Sequence, residues 1–246
     1  MTRKAIVTGG AQGLGLEMTK ALCEENVTVC IMDISPKLEE TVKALRLNGF
    51  NVESVQADLS EVEKIHMYFN EALEKLGGGL DILVNNAGIH KPMPAEDIDL
   101  ADFKKILDVN VVAVFELSRL AKKTMASVRS GKIINIASVL AVQGGFNAVA
   151  YSASKGAVAQ LTKSLSNEWA KDGININAIA PGYYKTELNT HILTDENRYK
   201  DLVSRVPVGR FGEVQEIKGI IKFLSSEQST FISGAVIPVD GGFLGR

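Results

Sequence analysis

Short apolar runs alternate with longer amphipathic stretches along all 246 residues. Seven runs, KAIVTG, VTVCIMD, NVESVQAD, LDILVNN, KIINIAS, ININAIAP and GAVIPVD, are rich in Val and Ile and end in turn residues. Apolar runs that do not strictly alternate predict strands buried on both faces. Helical periodicity covers 13–25, 36–48, 61–76, 101–129, 150–172 and 213–225. Strand alternating with helix predicts an α/β fold, a seven-stranded parallel sheet with helices on both faces and right-handed crossovers. Gly77-Gly78-Gly79 reads as a plain helix-to-strand connection, and no repeat or linker divides the chain. One segment breaks the rhythm. Residues 183–212, polar and aromatic, follow the sixth strand before the next clear helix, which predicts a substrate loop or lid.

Candidate chemistry collects where the strands end. The turn Thr8-Gly9-Gly10-Ala11-Gln12-Gly13-Leu14-Gly15 follows the first strand and opens the first helix. Glycines at 9, 13 and 15 permit a tight turn and close approach of backbone to a pyrophosphate, which then faces the helix N-terminus. Strand two ends in Asp33, eighteen residues beyond Gly15. A carboxylate there accepts from ribose hydroxyls and repels a 2′-phosphate. With Gln12 where an Arg would suit NADP, this predicts NAD(H) over NADP(H). Asp33 could also cap the segment from Pro36. Strand three ends in Asp58-Leu59, suited to an adenine edge and face, with capping of helix 61–76 by Asp58 or Ser60 as the competing role. Strand four ends in Asn85-Asn86-Ala87-Gly88, small and amide residues that let a cofactor pass.

Three further features bear on reactivity. Tyr151 and Lys155 stand at i and i+4 on a predicted helix, hence on one face. A close ammonium favours phenolate and would lower the Tyr pKa by about one or two pH units. Ser138 ends strand five and offers a hydroxyl to a substrate oxygen. Asn110 is a polar residue inside an otherwise apolar helix, either satisfying a backbone group or holding a water that leads to Lys155. Taken alone, each has a plain structural reading: a solvated helix face, a turn hydroxyl, a capped carbonyl.

Composition narrows the function. A net charge of −2 with 46% apolar residues gives no reason to expect a nucleic-acid or membrane partner. No run reaches the roughly 20 apolar residues of a membrane span. The start, MTRKAIVTGG, runs from a short apolar segment into glycines, unlike a signal peptide, so a cytoplasmic location is the default. Cys23 and Cys30 have neither metal nor redox spacing and read as buried thiols. No metal site is expected.

These residues together resemble the short-chain dehydrogenase/reductase family. The motifs are Thr8-Gly9-xxx-Gly13-x-Gly15, Asp58, Asn85-Asn86-Ala87-Gly88, Asn110, Ser138, Tyr151-xxx-Lys155 and Pro181-Gly182, in the family's order and over nearly the whole chain. The resemblance implies a single Rossmann-type, doubly wound NAD-binding domain spanning 1–246. It makes Tyr151 the acid/base and Ser138 the residue that orients the carbonyl. Lys155 would bind the nicotinamide ribose and Asn110 keep a relay water. Pro181, Gly182 and Thr186 would border the nicotinamide and its phosphate. A homotetramer with helices 101–129 and 150–172 as faces is implied as well.

The substrate is less sharply marked. GKIINIAS, Gln143-Gly144-Gly145, Asn167-Glu168-Trp169-Ala170, INAIAPGY, Val208-Gly209-Arg210-Phe211-Gly212 and VDGGFLGR resemble the branch that acts on sugar acids. A polyol acid needs a cation and several hydrogen-bond partners. His90 and Lys91 are candidates for the carboxylate, and Gln143, Asn147 and Tyr183 for hydroxyls; each also reads as a solvated loop residue. The alternative is a 3-oxoacyl-[acyl-carrier-protein] reductase, for which Lys122, Lys123, Arg129, Lys163 and Lys171 would form the basic carrier patch. Asp33 and Gln12 argue against it. A dinucleotide-binding sensor without turnover is the remaining class.

Overall fold

A computed structural model describes residues 2–125 and 130–246. Among them the seven apolar runs form seven strands: β1 (Lys4–Thr8), β2 (Thr28–Asp33), β3 (Val52–Gln56), β4 (Ile82–Asn85), β5 (Gly131–Ile136), β6 (Ile174–Pro181) and β7 (Val236–Val239). All pair in parallel in one sheet of order β3-β2-β1-β4-β5-β6-β7. The order reverses between β1 and β4, so a crevice opens there at the carboxyl ends of the strands.

Successive strand residues face opposite cores. Ala5 and Val7 of β1 pack with Val29 and Ile31 of β2 on one side, while Ile6 joins Cys30 and Met32 on the other. Helices α1 (Gly13–Glu24), α2 (Leu38–Leu47) and α9 (Lys218–Leu224) supply the first layer; α3 (Ile65–Lys75) and α5 (Ala113–Met125) supply much of the second. Both faces are therefore buried, which is why the strands read as continuous apolar runs. Cys23 and Cys30 are buried free thiols, and burial pushes both up to about 12.

Two expectations change. The helix predicted over 101–129 is divided: α4 (Leu100–Leu107) passes through a π-helical turn (Asp108–Val112) into α5. The extra residue of that turn rotates the helix face and carries Asn110 into the interior, at 0% exposure. Residues 126–129 of that predicted helix lie outside the described residues. The segment 183–212 is not an open loop. It carries a turn (Glu187–Asn189), α7 (Thr190–Leu193) and α8 (Glu196–Ser204), whose N-cap Asp195 accepts from Asn197 N and Arg198 N at 3.1 and 3.0 Å. The sequence lacks apolar periodicity here because α8 buries only Leu202. Tyr183 stacks on Phe211 at 5.3 Å and meets Phe243 edge-on at 5.4 Å, which ties this segment to the carboxyl-terminal turn. No helix among the described residues is long and apolar enough to cross a membrane.

Candidate active site

A cleft of about 760 Å³ follows the carboxyl edge of the sheet. Its floor is the turn between β1 and α1. A Cβ at Gly15 would lie 1.9 Å from the Gly9 carbonyl oxygen, so only glycine allows the turn to close. Thr8 locks the turn to β4: its hydroxyl accepts from Asn86 N and Ala87 N, both at 3.0 Å. Asn86 Nδ2 donates back to the carbonyls of Thr8 and Gly9 at 3.0 and 2.9 Å. The result is a rigid cradle at the N-terminus of α1, lined by Gly9, Gln12, Gly13, Leu14 and Gly15. Thr186 reaches it from the far side, its methyl 4.0 Å from where a Gly13 Cβ would stand.

Asp33, Asp58, Leu59, Asn86, Gly88, Pro181 and Gly182 also line the cleft. The two carboxylates are already engaged. Asp33 is 8% exposed and accepts from Ala11 N at 2.8 Å and Ser35 N at 2.9 Å. It thus holds the glycine turn as well as facing the cleft, with half of its lone-pair sites still available. Asp58 accepts from Ser60 N at 2.9 Å and Ser60 Oγ at 2.7 Å, which closes a local turn, and neither residue caps the helix, whose N-cap is Lys64 with no side-chain bond. The Ser60 hydroxyl, foremost, holds the Asp58 carboxyl below its usual range.

Ser138, Tyr151 and Lys155 come together deeper in the cleft. Ser138 follows β5, where its Oγ accepts from Leu140 N at 3.1 Å, and it lines the cleft together with the Tyr151 phenol. Tyr151 and Lys155 occupy the first turns of α6 (Val149–Trp169). Lys155 is 3% exposed and donates to the Ile136 carbonyl at 2.6 Å. Burial pushes the Tyr151 phenol up to about 12, against the lowering effect of Ser138, and pushes the Lys155 ammonium down to about 8. Against the expected lowering by Lys155, the phenol is raised: desolvation dominates, and the Lys155 ammonium donates to Ile136.

Asn110 stands behind this group, outside the cleft lining. Its Nδ2 donates to Ile89 O at 3.0 Å and Ser154 Oγ at 2.9 Å, and its Oδ1 accepts from Ile89 N at 2.8 Å. Both amide N–H groups are committed, so the side chain satisfies a backbone segment.

The substrate candidates separate. His90 lines the cleft, its ring 4.8 Å from that of Tyr151; Gln143 and Tyr183 line it too. Lys91 and Asn147 do not. Lys91 is ion-paired to Asp102, and the Asn147 carbonyl accepts from Met93 N at 3.1 Å. Of the proposed basic patch, Lys122 pairs with Asp172 at 3.3 Å, and Arg129 lies outside the described residues. Sequence reading missed Lys105, Arg198 and Arg205, which all line the cleft. The last two could have been found from their spacing of seven residues, two helical turns, behind the capping Asp195.

Sheet order and glycine turn define a Rossmann-type nucleotide-binding fold, and the Ser–Tyr–Lys cluster beside it is the arrangement of a dehydrogenase. The family model described as enoyl-(acyl carrier protein) reductase matches residues 9–244, and the chain belongs to the short-chain dehydrogenase/reductase family. It is 41% identical over 244 residues to 2-dehydro-3-deoxy-D-gluconate 5-dehydrogenase of Bacillus subtilis (strain 168), covering 99% of this chain and 95% of that one. A putative gluconate dehydrogenase from Agrobacterium tumefaciens has a similar structure, with TM-score 0.95 and 34% identity over 99% of this chain and 96% of its own. A gluconate 5-dehydrogenase from Burkholderia cenocepacia J2315, solved in complex with NADP and tartrate, gives TM-score 0.93 and 35% identity over 99% and 96%.

Proposed function

We propose that this chain is an NAD-dependent oxidoreductase that interconverts a secondary alcohol and a ketone on a sugar acid such as 2-dehydro-3-deoxy-D-gluconate or gluconate. The observation that carries this reading is the convergence of Ser138, Tyr151 and Lys155 on one cleft that begins at the glycine cradle. The names of the relatives and structural neighbours support the substrate class.

The residues fit a dinucleotide. The cradle at Gly9 and Gly15 has backbone where a side chain would stand, and the N–H groups of the first turn of α1 face an anion. Asp33, held at the end of β2 in the cleft lining, would accept from the adenosine ribose hydroxyls and disfavour a 2′-phosphate, the basis for preferring NAD(H). When bound, the cofactor supplies the hydride acceptor or donor. In oxidation Tyr151 as phenolate takes the hydroxyl proton of the alcohol; in reduction its phenol returns a proton to the ketone oxygen. Ser138 donates to the same oxygen as charge develops there. Lys155, fixed by Ile136, holds a positive charge beneath the phenol, and Asn110 positions Ile89 and Ser154 around both.

The test is a panel of sugar acids, polyols and acetoacetyl thioesters with NAD(H) and NADP(H). The expected result is turnover of a gluconate-type acid with NAD(H). Preferred reduction of the thioester with NADPH would overturn the reading in favour of an acyl-carrier-protein reductase.

A further inference from the structure

Seven of the eight arginines fall within the described residues. Five have a polar partner: Arg3 donates to Ser225 O, Arg46 to Glu53, Arg119 to Glu116, Arg210 to Glu216 and Arg246 to Ser204 O. Arg198 and Arg205 have no side-chain hydrogen bond or ion pair among the described residues, and these are the two that line the cleft. A guanidinium left without an acceptor beside a cavity is a site poised for a carboxylate, which it can grip with two parallel hydrogen bonds.

Their placement is specific. Arg198, Leu202 and Arg205 fall on one face of α8 and its C-cap, turned toward the cleft. The Arg205 guanidinium lies 5.0 Å from the Phe243 ring centre, which fixes it while leaving its N–H groups available. Burial raises the Tyr183 phenol, and both arginines act against that rise, so both charges reach the Tyr183 end of the cleft. Tyr183 and Tyr151 line the same cleft as the arginine pair.

The other cations of the cleft are committed. Lys155 is fixed on Ile136, and Lys105 lines the cleft on the side of Asp58, away from Tyr183 and the arginines. Lys91 is held by Asp102 outside it. Asp201 and Glu187 also line the cleft, but neither makes an ion pair with Arg198 or Arg205. Asp201, between the two arginines on α8, is suited to accept from substrate hydroxyls.

We propose that Arg198 and Arg205 form the carboxylate subsite for the sugar acid, so that the helix over the cleft sets substrate class. The assignment rests on the sugar-acid reading above. It is tested with Arg198→Gln, Arg205→Gln and the double variant on D-gluconate and on D-gluconamide, which has the same hydroxyls and no charge, with NADH binding followed by fluorescence. The expected result is that the wild type prefers the acid. The acid-to-amide ratio of kcat/KM then falls about ten- to a hundredfold in each single variant and further in the double, with NADH affinity kept and partial rescue by Arg→Lys. If the wild type prefers the acid and the variants keep that preference, the subsite lies elsewhere and the sugar-acid reading survives. If the variants lose NADH affinity instead, the arginines serve the cofactor and the proposal is overturned. A wild type without turnover of the acid overturns both readings.

Discussion

The Lys155 ammonium lies 5.6 Å from the centre of the Tyr151 ring, yet donates its hydrogen bond to the Ile136 carbonyl at 2.6 Å. A cation 3% exposed and without a carboxylate beside it destabilises the protein that contains it. Its pKa falls from 10.5 to about 8 for that reason. For a cation with a depressed pKa, the destabilisation is full below the folded value and disappears as pH rises toward the unfolded one. The fall corresponds to about 3 kcal/mol. Lys155→Met is expected to raise the Tm of the cofactor-free protein at pH 7 by a few degrees while abolishing turnover. The gain should shrink between about pH 8 and 10.5. A variant less stable than wild type at pH 7 would contradict this account.

Tyr151 carries the converse expectation for catalysis. With the phenol pushed up to about 12, the phenolate required for oxidation is scarce at neutral pH and grows as pH rises. Initial rates of alcohol oxidation should therefore climb from pH 7 to pH 10, whereas ketone reduction, which uses the phenol, should not. Tyr151→Phe keeps the ring contact with His90 and removes the proton carrier. Its kcat/KM should fall by about 10²- to 10⁴-fold with NADH affinity retained. Steady-state kinetics across that range decide the matter, and a flat oxidation profile in the wild type would exclude Tyr151 as the titrating base.

The glycine cradle predicts two opposite effects of one substitution. Gly15→Ala places a methyl group 1.9 Å from the Gly9 carbonyl oxygen, so the turn must shift. Stability should drop by about 1–3 kcal/mol and NADH affinity by tenfold or more. Gly219→Ala, within α9, meets nothing within 4 Å and should stabilise by about 0.5–1 kcal/mol. Thermal denaturation with and without NADH reads both. Equal effects at the two positions would mean that the steric argument fails.

The seven parallel strands and the glycine cradle were legible in the sequence because burial on both faces imprints continuous apolar runs, and a closed turn tolerates no Cβ. Asn110 was visible as a polar intruder, but its role depends on a π-helical turn that rotates it toward Ile89, and periodicity does not register one added residue. Arg198 and Arg205 went unread because α8 rides over the cleft with little apolar surface and so leaves no hydrophobic stripe. Lys91 was a natural carboxylate candidate by proximity to Asn85-Asn86-Ala87-Gly88; Asp102, eleven residues on, neutralises it, and that pairing exists only once α4 folds back.

Cofactor choice turns on Asp33. Its carboxylate is held by Ala11 N at 2.8 Å and Ser35 N at 2.9 Å, which fixes its position at the end of β2. Charge in a fixed position repels a 2′-phosphate more effectively than charge that can swing away. Asp33→Ala should weaken NAD⁺ binding and raise the ratio of NADP⁺ to NAD⁺ utilisation by about tenfold or more, one such factor corresponding to about 1.4 kcal/mol. It should also leave two backbone N–H groups unpaired and cost about 1–3 kcal/mol of stability. Thr41→Val separates the two effects, because the Thr41 hydroxyl supports the same turn through Ala11 O at 3.1 Å without carrying charge. The Val variant should lower stability modestly and leave the cofactor ratio where it was. Kinetics with both cofactors on both variants give the answer: a ratio unmoved by Asp33→Ala, or moved equally by Thr41→Val, would assign Asp33 to holding the turn alone.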